Sequence, residues 1–387
     1  MKKISLSICL LLMISLCACT AGNSDNTGGT QVFTKAAEQT SETGELTTEP
    51  AEPGGDAISE TVAAMSVEEK VGQMFFSSCP DVNAAEDAAK YHLGGYVLFG
   101  RDFDGKTAEE VKADIASYQE GMRIPLLIGA DEEGGTVVRV SSNENLRYAP
   151  FRSPKDYYTD GGMDRVREIE TEKAELLTSL GVNVNLAPVC DLTGDTESFM
   201  FERSFSDDAE LTGGFISDTV AIYSEKKLGS VLKHFPGYGD CVDTHTGTAH
   251  DDRPYSTFAN NDFKPFEAGI KAGADCIMVS HNIVECMDAD YPASLSDKVH
   301  QIIRENLGFN GVIITDDLVM GAVSEYTGSE NAAVLAVKAG NDMLCCSELE
   351  TQYPAVLQAV KNEEIPMEQI DNSVKRILKW KQKLGLI

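Results

Sequence analysis

Gly311-Val312-Ile313-Ile314-Thr315-Asp316-Asp317 is a short apolar run that stops on two carboxylates. It is one of eight such runs; the others span Val71 to Phe76, Gly95 to Phe99, Pro125 to Ala130, Val182 to Val189, Ser230 to Leu232, Cys276 to Val279 and Asn341 to Leu344. Between them lie stretches long enough for helices, such as Ala108 to Gln119, Asp164 to Leu180, Thr212 to Lys227 and Asp297 to Asn306. Strands that are apolar throughout are buried on both faces, and intervening helices make the sheet parallel. Eight such units predict an α/β fold, a closed (β/α)8 TIM barrel, in preference to a doubly wound open sheet.

The ends of the runs carry the functional signal. Run two ends at Arg101, run three at Asp131-Glu132-Glu133, run four at Asp191, run five at Lys233-His234, run six at Ser280-His281 and run seven at Asp316-Asp317. In a barrel these carboxyl ends converge on one face, where active sites sit. The barrel reading therefore predicts a functional cluster there.

The segment ahead of the barrel reads differently. Met1-Lys2-Lys3 and the apolar run Ile4 to Leu16 form a secretory signal, too short and too early for a membrane span. Leu16-Cys17-Ala18-Cys19 resembles a bacterial lipoprotein cleavage box, which implies lipid on Cys19. Residues 20–57, rich in Thr, Gly, Glu, Ser and Pro, read as a disordered acidic tether. The expected organisation is a signal over 1–19, a tether over 20–57 and one catalytic domain over 58–387. The protein is expected to be exported and held at the extracellular face of the membrane through its lipid anchor only.

Composition narrows the function. Of 387 residues 62 are Asp or Glu and 32 are Lys or Arg, a net charge of −30. A chain so acidic repels phosphate backbones and anionic lipid, so nucleic acid is excluded as a partner. Seven cysteines remain after the signal: Cys79, Cys190, Cys241, Cys276, Cys286, Cys345 and Cys346. Most sit in or beside apolar runs and read as small buried hydrophobes. Neither Cys-x-x-Cys nor His-Glu-x-x-His occurs, and no metal or cofactor is expected.

The most specific stretch is Lys233-His234-Phe235-Pro236-Gly237-Tyr238-Gly239-Asp240-Cys241-Val242-Asp243-Thr244-His245. Its glycines and Pro236 bend the chain sharply away from a strand. Asp243 and His245 stand two apart, and a carboxylate that accepts an imidazole N–H raises the basicity of the other ring nitrogen. Taken alone, the pair reads equally as a loop histidine held by a local turn.

With this loop the chain resembles glycoside hydrolase family 3, in its β-N-acetylglucosaminidase branch. The resemblance also runs through Met65 to Met74, Asp131 to Gly135 with Arg139, Ala187 to Asp191, Arg203-Ser204-Phe205, Pro292 to Ser296, Ile314 to Met320 and Ala339 to Met343. It implies a (β/α)8 barrel and a retaining β-N-acetylhexosaminidase acting on N-acetylglucosamine-containing glycans or peptidoglycan fragments. By the same resemblance Asp316 is the nucleophile, His245 the acid/base and Asp243 its orienting partner. Asp131, Arg139, Arg203, Lys233 and His234 are implied to bind the sugar. The chain departs from the family where Tyr238 replaces a histidine. His250 also competes for the acid/base role, but only His245 follows an Asp-Thr pair. The other readings are phosphorolysis on the same site, a metal-dependent barrel hydrolase, and a non-catalytic surface glycan-binding lipoprotein.

Overall fold

The computed structural model describes residues 53–239, 241, 244, 247, 249–327 and 331–387. The signal, Cys19, most of the tether, Asp243 and His245 lie outside the described residues. Helix Pro53–Ala63 begins a few residues ahead of residue 58, the expected start of the domain.

Eight parallel strands run in chain order around the barrel: β1 (Phe75–Ser78), β2 (Gly95–Leu98), β3 (Leu127–Ala130), β4 (Val184–Asn185), β5 (Gly229–Phe235), β6 (Cys276–Val279), β7 (Val312–Thr315) and β8 (Leu344–Cys346). β8 pairs with β1 through Phe75↔Leu344 and Phe76↔Cys345. Between β7 and β8 the ring is joined by the Ile314↔Met343 bridge and by the Cys345 N–H donating to Thr315 Oγ1 at 3.1 Å. The fold is the TIM barrel that the eight runs predict.

Several boundaries shift for local reasons. The first run does not begin as a strand, because the Ser66–Glu69 capping box starts helix Val67–Gln73 and the strand waits until Phe75. The fourth run pairs regularly only over Val184–Asn185; Pro188 has no N–H to give the ladder, and pairing resumes at the single bridge Val189↔Lys233. The fifth strand is longer than its apolar run and carries Lys233 and His234 within it. The eighth strand sits later than Asn341 to Leu344, because Gly340 at φ 116° ends helix Ala332–Ala339 and Asn341 and Asp342 are spent on buried hydrogen bonds. Asp164 to Leu180 is the second part of a helix, Pro154–Leu180, broken at Gly161 and Gly162. Asp297 to Asn306 is an α-helix, Asp297–Gln301, followed by a π-turn.

The core fills the barrel and the layer beneath the helices. Phe76 crosses the barrel interior and needs Gly129 opposite, where a Cβ would lie 2.5 Å from the ring. Five of the seven cysteines are buried, Cys241 is intermediate and Cys286 exposed. Among the described residues no helix is long and apolar enough to cross a membrane.

The last helix, Met367–Lys383, is tied to the start of the barrel by a buried amine. Lys381 is fully buried and donates to Gln73 Oε1 at 2.7 Å, while Gln73 Nε2 donates to the carbonyls of His92 and Leu93. Burial pushes the Lys381 amine down from 10.5 to about 7. Between these values the unfolded chain binds a proton that the folded one does not, so stability falls as pH drops through that window. Lys381→Met removes this dependence. The melting temperature of the variant relative to wild type is expected to rise between pH 10 and pH 7, and thermal melts across that range check it.

Candidate active site

The carboxyl ends of the strands surround a cavity of about 450 Å³. Asp131, Arg139, Arg203, Lys233, His234 and Asp316 all line it. The barrel thus gathers six of the eight residues expected to act on or bind the sugar; the other two are Asp243 and His245.

One wall is built on Glu133. Asp131 and Glu133 follow β3 two residues apart, and both reach the Lys233 ammonium, at 2.6 Å and 2.7 Å. Glu133 also takes a two-pronged pair from Arg203, with Nε to Oε2 at 3.0 Å and Nη2 to Oε1 at 2.8 Å. Two carboxylates and two cations balance, so the buried charges leave no net charge on the wall. Burial works against the ionised Glu133, but Lys233 and Arg203 outweigh it and hold the carboxyl far below its usual range. Burial likewise opposes the Lys233 charge, and Asp131 with Glu133 outweighs it and raises the amine.

Glu132, between these two acids, is buried elsewhere. It accepts from the backbone N–H groups of Arg139, Val140 and Ser141 and from the Ser141 hydroxyl, which fixes the turn carrying Arg139. Arg139 Nε is buried with no hydrogen-bond partner among the described residues. Asp131 Oδ1 faces Lys233, and its second oxygen has no partner among the described residues. Both residues line the cavity.

His234 is held from behind. Asp191 Oδ2 accepts from the His234 backbone N–H at 2.9 Å and lies 2.8 Å from Nδ1, while Oδ1 accepts from the Tyr238 N–H at 2.8 Å. Arg203 Nη2 stands 3.2 Å from His234 Nε2. A guanidinium only donates, so Nε2 accepts and the ring proton sits on Nδ1, facing Asp191. Burial disfavours the Asp191 charge, but His234 and the amides it bonds outweigh that and keep it below the usual carboxylate range. Asp191 is buried beneath the cavity and supports His234 without lining the space itself.

Asp316 follows β7 at the cavity floor, its N–H bonded to the Val279 carbonyl at 3.0 Å. Burial pushes its carboxyl up, but His234, His281, the Asp317 amide and Lys233 prevail and keep it below the ordinary aspartate value. No ion pair occupies it among the described residues. Asp317 reaches the rim as well, contrary to simple strand alternation, because the chain has left β7 after Thr315. Its carboxylate is taken by the Val319 N–H and the Ser347 hydroxyl. His281 anchors this turn, with Nε2 3.0 Å from the Asp317 carbonyl and Nδ1 2.7 Å from Ser294 Oγ.

The chain after β5 bends at Gly237, whose φ of 114° suits glycine; a Cβ there would meet Asp262 Oδ1 at 2.8 Å. Tyr238 is buried at the base of this loop, edge-on to His234 and Phe199, and its hydroxyl lies 2.7 Å from Thr244 Oγ1. Thr244 stands between Asp243 and His245 in the chain. His250 is in a short strand with an exposed side chain, 4.0 Å from Glu285, and does not line the cavity.

Sequence reasoning names Glu133 only among the acids that end run three and gives it no role, while Tyr238 is noted only as a departure from the family. The two-residue alternation Asp131, Glu133 was the available signal for the role of Glu133. Among the described residues no group of His, Cys, Asp and Glu is placed to hold a metal ion.

Residues 66–380 match the N-terminal domain of glycosyl hydrolase family 3. The chain is 34% identical over 275 residues to a beta-hexosaminidase of Xanthomonas campestris pv. campestris, an alignment covering 69% of this chain and 81% of that protein. It superposes with a TM-score of 0.78 and 29% identity on a glycoside hydrolase family 3 beta-N-acetylglucosaminidase from Paenibacillus sp. str. FPU-7, over 84% of this chain and 63% of that one. A beta-N-acetylhexosaminidase from Beutenbergia cavernae DSM 12333 superposes with a TM-score of 0.73 and 27% identity, over 83% of this chain and 99% of that one. On the extent of the domain match and the identity to the Xanthomonas protein, the chain belongs to glycosyl hydrolase family 3.

Proposed function

We propose that the protein is a retaining exo-β-N-acetylhexosaminidase that removes terminal β-linked N-acetylglucosamine from glycans or peptidoglycan fragments. The observation that carries this reading is the Asp316 carboxylate, held below its ordinary value and without an ion-pair partner among the described residues, on the floor of a cavity walled by Asp131, Arg139, Arg203, Lys233 and His234. The names of the related proteins support the sugar.

In this reading an Asp316 oxygen bonds to the anomeric carbon as the glycosidic C–O bond breaks, and His245 gives its proton to the leaving oxygen. Water then attacks the glycosyl-aspartate. It loses its proton to His245 and frees Asp316, so two inversions give net retention. Asp243 holds the His245 ring, while Asp131 and Arg139 have groups left to bond sugar hydroxyl or acetamido oxygens. Export and a lipid on Cys19 would place this activity at the outer face of the membrane.

Asp316→Ala is expected to lower hydrolysis of a chromogenic β-N-acetylglucosaminide by about a thousandfold or more, the scale of a lost catalytic group. Full activity in the variant, or none in wild type, sinks the reading. Since Asp316 is held below its ordinary value, the acid limb of kcat/KM is expected below the usual aspartate range; a pH–rate profile checks this. Asp191→Asn leaves His234 without its charged acceptor and is expected to cut kcat/KM by about ten- to a hundredfold, the scale of a charge-assisted hydrogen bond. Steady-state kinetics on the same substrate measure that loss.

A further inference from the structure

Next to the catalytic cavity, and sharing Phe99 and Asp317 with it, lies a larger groove of about 800 Å³. Its walls come from the segments that follow β1, β2 and β8, on the same face of the barrel. An exo-acting enzyme encloses one sugar ring and must leave the departing sugar in adjoining space. The half-buried Phe99 ring lines both spaces and has the Arg101 guanidinium 5.2 Å from its centroid.

The charge of the groove is one-sided. Asp81, Asp87, Asp317, Glu348 and Glu350 line it against a single cation, Arg101. Arg101 is already engaged, with Nε 3.1 Å from Asp81 Oδ1 and Nη2 donating to the Cys79 carbonyl at 2.7 Å. Among the described residues Asp87, Glu348 and Glu350 form no ion pair, and Asp317 is bonded only to a hydroxyl and an amide. Lys90, beside the groove, acts on Asp87 and Glu350, yet the acids remain in excess, so a ligand that brings a carboxylate meets net like charge and one that brings an ammonium meets opposite charge. The chain's net charge of −30 acts in the same direction at longer range.

We propose that this groove is the leaving-group subsite and that it selects an amino sugar with a free ammonium over a sugar bearing a carboxylate. The proposal rests on the hexosaminidase reading and narrows its glycan. It favours partly deacetylated chains and disfavours a muramic acid, with its lactyl carboxylate, as leaving group.

The test uses three disaccharides that share a non-reducing β-N-acetylglucosamine and differ in the reducing sugar: glucosamine, N-acetylglucosamine or N-acetylmuramic acid. At low ionic strength kcat/KM is expected to fall in that order, spanning on the order of tenfold or more from first to last. The triple variant Asp87→Asn, Glu348→Gln, Glu350→Gln is expected to bring the ratio toward one without changing hydrolysis of the chromogenic monosaccharide, which reports that the folded site is intact. Equal or faster cleavage of the N-acetylmuramic acid disaccharide overturns the proposal, as does a triple variant that keeps the wild-type ratio. If wild type does not cleave the chromogenic substrate, the hexosaminidase reading fails instead.

Discussion

The shared grip of Lys233 and Arg203 on Glu133 holds the candidate site together. Three charged side chains from β5, from the segment after β4 and from the end of β3 converge below the surface, where none is tolerable alone. A buried carboxylate between two cations is stable only if all three keep their positions. The same contacts place the rest of the wall. Lys233 reaches on to Asp131, and Arg203 stands against His234 and dictates which ring nitrogen carries the proton. Removing one member would leave its partners charged and buried, so this wall is rigid by electrostatic necessity.

The segment after Gly237 departs from the barrel and is anchored at Tyr238, which bonds Asp191 through its N–H and Thr244 through its hydroxyl. The chemistry assigned to Asp243 and His245 therefore depends on a loop whose base is tied into the His234 support. One carboxylate, Asp191, serves both the cavity wall and the root of that loop.

Much of this was legible in the sequence, and the failures have physical causes. The eight-fold rhythm survived because the barrel strands are largely apolar and most end on polar residues. Strand limits were less readable: the capping box at Ser66 keeps Val71 helical, and Pro188 interrupts β4, each a local effect that overrides hydrophobicity. Asp131, Lys233 and Asp316 were visible as strand-end charges. Glu133 was not separated from Glu132, because three adjacent acids look alike until the faces of the strand are assigned; one then joins the cation pair and the other fixes a turn. The part of His281 depends on Ser294 and on the backbone at Asp317, contacts that no local pattern encodes.

The central claim is that the Asp316 carboxylate attacks the sugar from inside the cavity and that the bond is later exchanged for water on the same face. Proton NMR of the anomeric signal during the first minutes of hydrolysis of a β-N-acetylglucosaminide tests this most directly, before mutarotation mixes the anomers. The account predicts that the first-formed N-acetylglucosamine is the β anomer. Initial release of the α anomer would mean single inversion by a directly activated water, and would contradict it.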